Sequence, residues 1–299
     1  MVAMVYKNVK RTVRFFIYFF QTYLLESAHY RFSFWERAIY CFELLVPLKR
    51  VIKLESASTE FSLLSVEAST FLYPAAYSQK DLPWLYHEVF DPFVINPSSY
   101  GHTRLRNKTY DWVIDAGSCE GFYSLFAIKK YKPKNLMVIE PDLASIEACK
   151  QTLGQFHPMQ KCIYVHGALG DKEGIGFLCK SGRSSDFFIL ENPAIEDGEV
   201  IAKVDLKTID SLFGEHQVSG KILIKMDIEN SEMKALLGAT KSLEKYDITW
   251  CIAVYHNELN ALECANIIKK HNSEAKIEFR GFYAYFNPPR PYILFSFDE

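Results

Sequence analysis

Four places in this chain put reactive side chains at the end of an apolar run. Asp115 follows 112–114, Glu140 follows 136–139, Asp227 follows 222–226, and His256 comes just after 248–254. Each run reads as a buried strand, and in a parallel α/β sheet the loops leaving the strands' carboxyl ends form one crevice. A carboxylate at the first exit suits an ammonium group, and one at the second can accept hydrogen bonds from both hydroxyls of a ribose. Asp227 belongs to a cluster, with Lys225, Glu229 and Glu232 inside eight residues. A carboxylate or a histidine there could take a proton from a hydroxyl, which makes Asp227, His256 and Glu229 the catalytic candidates. Oxygen ligands from Asp227, Glu229 and Asn257 could alternatively hold Mg²⁺.

The loop after Asp115 has the pattern DxGxCxG, running through Gly117, Ser118, Cys119, Glu120 and Gly121. The glycine fingerprint of nicotinamide enzymes, GxGxxG, is absent, which disfavours a dinucleotide. The pattern instead resembles the first motif of class I S-adenosylmethionine-dependent methyltransferases, usually DxGxGxG, and close glycine backbone, an acid and helix N–H groups suit the amino-acid end of that cofactor, with Asp115 on the ammonium side. Glu140 is followed by Pro141, and the HGALGD turn at 166–171 places small residues, Gly167 and Ala168, where a flat ring could lie.

Strands and helices must alternate to bring these loops together. The pattern predicts strands at 112–114, 136–139, 162–165, 222–226 and 248–254, and an antiparallel hairpin at 276–285 and 292–297 that closes the sheet. Asp142 is placed to cap the helix carrying Ile146 and Cys149. Residues 174–206 read as an inserted hairpin with SGRSS at its tip, where Arg183 could meet an anion. After Asp227, one helix carrying Met233, Leu236, Leu237 and Leu243 is expected. The organisation is a basic amphipathic helical extension (1–54), a connector or lid (55–110) and a cofactor-binding domain (111–299). In the connector, His87, His102 and several tyrosines are possible substrate contacts.

Composition narrows the classes. With 299 residues and 49% apolar content the chain can bury a large core. Seven cysteines without a CxxC pair point to a reducing, cytoplasmic setting. The chain totals −2, yet residues 1–53 hold nine Lys or Arg against three Glu. This end is aromatic as well as basic, and its uncharged run is shorter than the roughly 20 residues that span a bilayer. Its helical spacing suits a membrane interface through residues 1–30, or packing on the main domain or a second subunit of a homo-oligomer. SFWE at 33–36 is a capping-box pattern for a second helix. Basic charge confined to one end of an otherwise acidic chain argues against nucleic acid.

Five ordered segments resemble the FkbM family of methyltransferases. VIDAGSCEGFYSLFA is similar to that family's VIDVGANIGFYS, VIEPD to its FEP, HGALGD to its ALGD, KTIDSL to its TLDD, and IKMDIENSEMKALLGA to its IKIDVEGAELEVLKGA. The likeness covers roughly residues 110 to 260. It implies a class I methyltransferase fold, α/β with a Rossmann-like mixed seven-stranded sheet and helices on both faces. It further implies S-adenosylmethionine as cofactor, held by Asp115, Gly117, Gly121 and Glu140, with the active site near Asp227 and Glu229. The expected activity is O-methylation of a sugar hydroxyl in a glycan or glycolipid precursor. A small-molecule or polyketide hydroxyl, or a cofactor-binding scaffold without catalysis, is the alternative. Three residues depart from the pattern: Cys119 stands in place of asparagine, Asn230 in place of glycine, and Tyr255 where an acid is expected.

Overall fold

The computed structural model describes residues 2–24, 29–45, 52–66, 69–76, 79–80, 82–91, 96–155, 161–180, 187–191, 199–284 and 286–297. Two helices, α1 (Val2–Leu24) and α2 (Phe34–Leu45), open the chain. The capping box forms: the Ser33 N–H donates to Glu36 Oε2 at 2.8 Å and the Glu36 N–H to Ser33 Oγ at 3.2 Å. Next come β1 (Lys53–Ala57), β2 (Phe61–Val66) and β3 (Ser69–Pro74), an antiparallel sheet, then α3 (Leu82–Phe90).

The α/β unit follows as β4 (Trp112–Ala116), α4 (Phe122–Tyr131), β5 (Asn135–Glu140), α5 (Leu143–Leu153) and β6 (Lys161–His166). The insertion is β7 (Ala168–Leu169), β8 (Gly174–Lys180), β9 (Phe187–Leu190) and β10 (Glu199–Lys207). Then come α6 (Ile209–His216), β11 (Ile222–Met226), α7 (Glu232–Leu237), α8 (Thr240–Lys245), β12 (Ile248–Ala253), α9 (Asn260–His271), β13 (Lys276–Arg280) and β14 (Ile293–Phe297). The main sheet has seven strands in the order β13-β14-β12-β11-β4-β5-β6. Five run parallel, and β14 enters antiparallel to β12 with β13 beside it. This is the mixed class I methyltransferase sheet.

Every residue of β4, β11 and β12 is buried, as expected of central parallel strands covered on both faces. One face packs on α6 to α9 through Leu212, Leu236 and Ile268. The other packs on α3, α4, α5, β2 and β3, so Leu64, Phe71 and Val89 share a core with Val113 and Leu125. Much of the passage expected as a connector is therefore built into the second core. The Leu72 N–H also donates to Thr152 Oγ1 of α5 at 2.9 Å.

Asp142 caps α5, its Oδ2 accepting the Ser145 N–H at 2.7 Å. The helix expected after Asp227 is instead two short ones, α7 and α8, broken at Gly238, and Leu237 faces outward. The inserted strands make a separate sheet in the order β7-β10-β8-β9; its expected tip with Arg183 lies outside the described residues.

Candidate active site

Parallel register sets Lys225 of β11 beside Asp115 of β4, and Met226 beside Ala116. The Lys225 ammonium lies 3.4 Å from Asp115 Oδ1 and donates to the Gly117 carbonyl at 2.7 Å. From the first turn of α4, the Ser124 hydroxyl donates to Asp115 Oδ2 at 2.6 Å. Burial opposes the charge on Lys225, but Asp115 and then Asp227 outweigh it and raise its pKa. Asp115 is fully buried and acts on the loop from below, through Lys225 and Ser124.

The loop is strapped down by its own backbone. The N–H groups of Gly117 and Ser118 donate to the Ile139 carbonyl at 3.0 and 3.3 Å, and that of Cys119 to Glu140 Oε2 at 2.8 Å. These donors, expected to face a cofactor, are already used by β5. Gly117 has φ +68°, and a Cβ there would sit 1.7 Å from the Asp227 carbonyl oxygen. The glycine thus lets two strand exits touch. Gly121, the N-cap of α4 at φ +87°, faces Cys149, whose Sγ would be 2.5 Å from an added Cβ. Two departures from the family pattern also fall at left-handed backbone: Cys119 has φ +46° and Asn230 φ +71°. Asparagine tolerates that region well, which accounts for Asn230 at a glycine position.

A cavity of about 620 Å³, counting its open mouth, lies over these strand ends. Gly117, Cys119, Glu140, Pro141, Gly167 and Ala168 line it, together with Asp227 and Glu229. Ile139, Leu169, Phe187 and Ile189 supply apolar wall, the last two from the insertion. Both oxygens of Glu140 are fixed by N–H donors, Oε2 from Cys119 and Oε1 from Asp142 at 2.9 Å. Each keeps accepting capacity for a ligand hydroxyl. Burial pushes the Glu140 pKa up to about 8 against the pull of those two N–H groups. Ser118, Glu120 and Gly121, also expected at the cofactor, are buried in the loop outside that lining. Glu120 Oε2 has no hydrogen-bond partner among the described residues, and burial raises its pKa to about 7.

At the Asp227 end the side chains form a charge cluster. Tyr100 donates its hydroxyl to Asp227 Oδ2 at 2.9 Å. His256 Nε2 lies 3.4 Å from Asp227 Oδ1 and 3.4 Å from Glu229 Oε2, while its Nδ1 is 3.1 Å from Glu232 Oε1. Glu232 is fully buried and held by the Ile228 N–H at 3.1 Å and Asn260 Nδ2 at 3.0 Å. Burial works against the His256 charge, but Glu232 first, then Asp227 and Glu229, drive its pKa up to about 10. That shift favours the imidazolium form of His256 and leaves the Asp227 carboxylate as the better-placed proton acceptor. Asp227 Oδ1 has no hydrogen-bond partner among the described residues.

Sequence reasoning missed two participants. Tyr100 lies in the passage before β4, and Glu88 on α3 is buried beside Asp227 and Lys225. Burial, then Asp227, pushes the Glu88 pKa up to about 8, while Lys225 and hydrogen bonds from Tyr100 and Tyr292 pull it down. Neither residue has a periodic or motif signal; only the count of tyrosines there hinted at Tyr100. The two histidines suggested as contacts go elsewhere. His87 pairs with Asp91 at 2.6 Å, and His102 is buried against Phe295 and Phe297. Tyr255, where an acid was expected, stacks with Tyr292 at 4.5 Å and packs on Tyr283 at 4.8 Å.

Residues 115–280, more than half of the chain, match the model of the Methyltransferase FkbM domain. The chain belongs to the FkbM family of S-adenosylmethionine-dependent methyltransferases. Among solved structures, methyltransferase FkbM from Methylobacillus flagellatus KT is similar in fold, with 19% identity and a TM-score of 0.50. That match covers 74% of this chain and 56% of the other, so the chain spans little more than half of that protein. TYW2 from M. jannaschii, in complex with AdoMet, aligns at 10% identity and TM-score 0.38 over 83% of this chain and 90% of that one. Precorrin-6y C5,15-methyltransferase from Geobacter metallireducens GS-15 aligns at 10% identity and TM-score 0.36, over 66% and 84%. No curated protein matches the chain.

Proposed function

We propose that the chain methylates a hydroxyl of a sugar in a glycan or glycolipid precursor, using S-adenosylmethionine. The observation that carries this reading is the Asp227 carboxylate, which borders the cavity with Oδ2 held by Tyr100 and Oδ1 without a hydrogen-bond partner among the described residues. When bound, the cofactor supplies a methyl group already activated on sulfonium sulfur. Glu140 is placed to accept from the ribose hydroxyls, and Ile139, Leu169, Phe187 and Ile189 make an apolar slot for the adenine beside Gly167 and Ala168. The Asp227 carboxylate would accept the proton of the acceptor hydroxyl, and the cofactor would leave as S-adenosylhomocysteine. Charged His256 stabilises the Asp227 carboxylate and orients it.

A Mg²⁺ role has weaker support. Asp227, Glu229 and His256 can bring three ligand atoms within 4.8 Å of one another. Asn257, the other expected ligand, is exposed and its Oδ1 accepts the Leu259 N–H at 3.2 Å. Mg²⁺ prefers an all-oxygen set, and the third group is an imidazole held by Glu232, so the donor set fits it poorly. The reaction is accordingly derived without a metal step.

The test is methyl transfer from labelled cofactor to a panel of glycans, alongside calorimetry with S-adenosylhomocysteine. Asp227→Asn should lower turnover by about a hundredfold or more while still binding S-adenosylhomocysteine. Wild-type turnover in that variant would reject Asp227 as the base. Transfer to non-sugar hydroxyls alone would reject the sugar acceptor.

A further inference from the structure

The geometry points to a second interaction surface: we propose that α1 and the start of α2 bind the surface of an anionic lipid bilayer. At about 100° per residue, the positions of α1 fall into three sectors. One contains Val13, Phe16, Ile17, Phe20 and Leu24, all exposed, with Phe20 at 66% and Leu24 at 82%. Beside it lie the positions of Lys7, Lys10, Arg11 and Arg14, and residues 2–24 contain no acid. The third sector packs on the protein. Phe19 and Thr22 are buried there, Phe19 meets Phe34 at 4.9 Å, and Arg37 of α2 donates to the Thr22 carbonyl and covers the Tyr23 ring at 4.7 Å.

The α2 contact uses the third sector and leaves the apolar face outward. Trp35, 71% exposed at the start of α2, adds to the exposed apolar surface. A run of exposed apolar residues along one sector of a helix marks an interaction site. An apolar stripe flanked by cations on one helix suits a bilayer interface, where rings enter the acyl boundary and cations meet anionic headgroups. Among the described residues no helix is long and apolar enough to cross a membrane, so α1 would lie on the surface. A helix with four Lys or Arg and no acid in its sequence is also a poor match for a second copy of itself, where like charges would approach.

The helix pair is tied to the main sheet. Glu36 Oε1 accepts the Gly281 N–H at 3.0 Å, and Tyr40 packs on Phe282 at 5.1 Å. The next residue, Tyr283, packs against Tyr255 beside the Asp227–His256 cluster. A bilayer docked on α1 therefore connects through one helix to the proposed acceptor end. The bilayer contact itself does not depend on the acceptor proposed above.

The experiment is flotation of the full chain with vesicles of phosphatidylcholine alone or with about 30 mol % phosphatidylserine. The wild type should float with the serine-containing vesicles and lose most of that binding in about 0.5 M salt. Phe16→Ser with Phe20→Ser, both exposed, should reduce binding by about tenfold or more. Arg14→Glu should weaken it by a smaller factor, and both variants should bind S-adenosylhomocysteine like the wild type. No flotation of the wild type, or equal flotation of the double variant, would overturn the proposal. So would a wild-type dimer in light scattering that the double variant abolishes without any vesicle binding, because a second copy would then cover the face.

Discussion

Replacing Glu232 by glutamine tests the charge arrangement on which the catalytic reading depends. The pair it breaks, His256 Nδ1 to Glu232 Oε1 at 3.1 Å, is almost wholly buried, with side-chain exposures of 8% and 0%. At an effective dielectric near 20, two unit charges at that distance attract by about 5 kcal/mol. The rise of the His256 pKa from 6.5 to about 10 corresponds to a similar sum, about 5 kcal/mol, shared among Glu232, Asp227 and Glu229. Removing one partner of such a pair typically costs about 3–5 kcal/mol, because the other is left charged and buried. Glutamine keeps one acceptor for the Ile228 or Asn260 donor, which places the expected loss nearer 3 kcal/mol than 5. The sign with pH follows from the raised histidine pKa. The stabilisation is fully present below pH 6.5 and is lost as pH rises through about 10. Urea unfolding at a series of pH values should therefore show wild-type stability falling over that window, with Glu232→Gln starting lower and falling less. Adding His256→Gln to Glu232→Gln should recover part of the loss, since the stranded charge is then gone. A single variant within about 1 kcal/mol of wild type at pH 6, or one with an unchanged pH slope, would refute a charged His256 held by Glu232.

Two further outcomes follow from the cofactor cavity. Gly117→Ala should destabilise the protein by several kcal/mol and remove S-adenosylhomocysteine binding, because its Cβ would fall on the Asp227 carbonyl at a left-handed φ; an unaltered melting temperature would show the two loops are not in contact. With its pKa raised to about 8, Glu140 gains its stronger, ionised acceptor form as pH rises, so affinity for S-adenosylhomocysteine should rise several-fold between pH 6 and 9. Glu140→Gln should bind about tenfold more weakly at pH 9 and show no such rise in calorimetry. Equal pH profiles would remove Glu140 from the ribose.

The sequence by itself determined the order of elements around the crevice. Predominantly apolar runs at 112–114, 222–226 and 248–254 read as buried strands, and Asp115, Asp227 and His256 that follow them then share one edge of the sheet. Capping at Ser33 and Asp142 was equally local, since each cap joins residues three positions apart. What only the tertiary structure decided is how those charges are used. Asp115 reads as a cofactor ligand from its motif, yet the register of β4 with β11 puts an ammonium beside it, a contact 110 residues away in sequence. His256 reads as a base from its ordinary titration range. Its pKa rises because three carboxylates from the β11 exit and α7 close around it. Tyr100 and Glu88 carried no pattern because their role is set by packing of an early helix and loop against a distant strand end. Local spacing records propensity and periodicity, whereas the protonation of a buried group depends on whichever charges folding brings within a few ångströms of it.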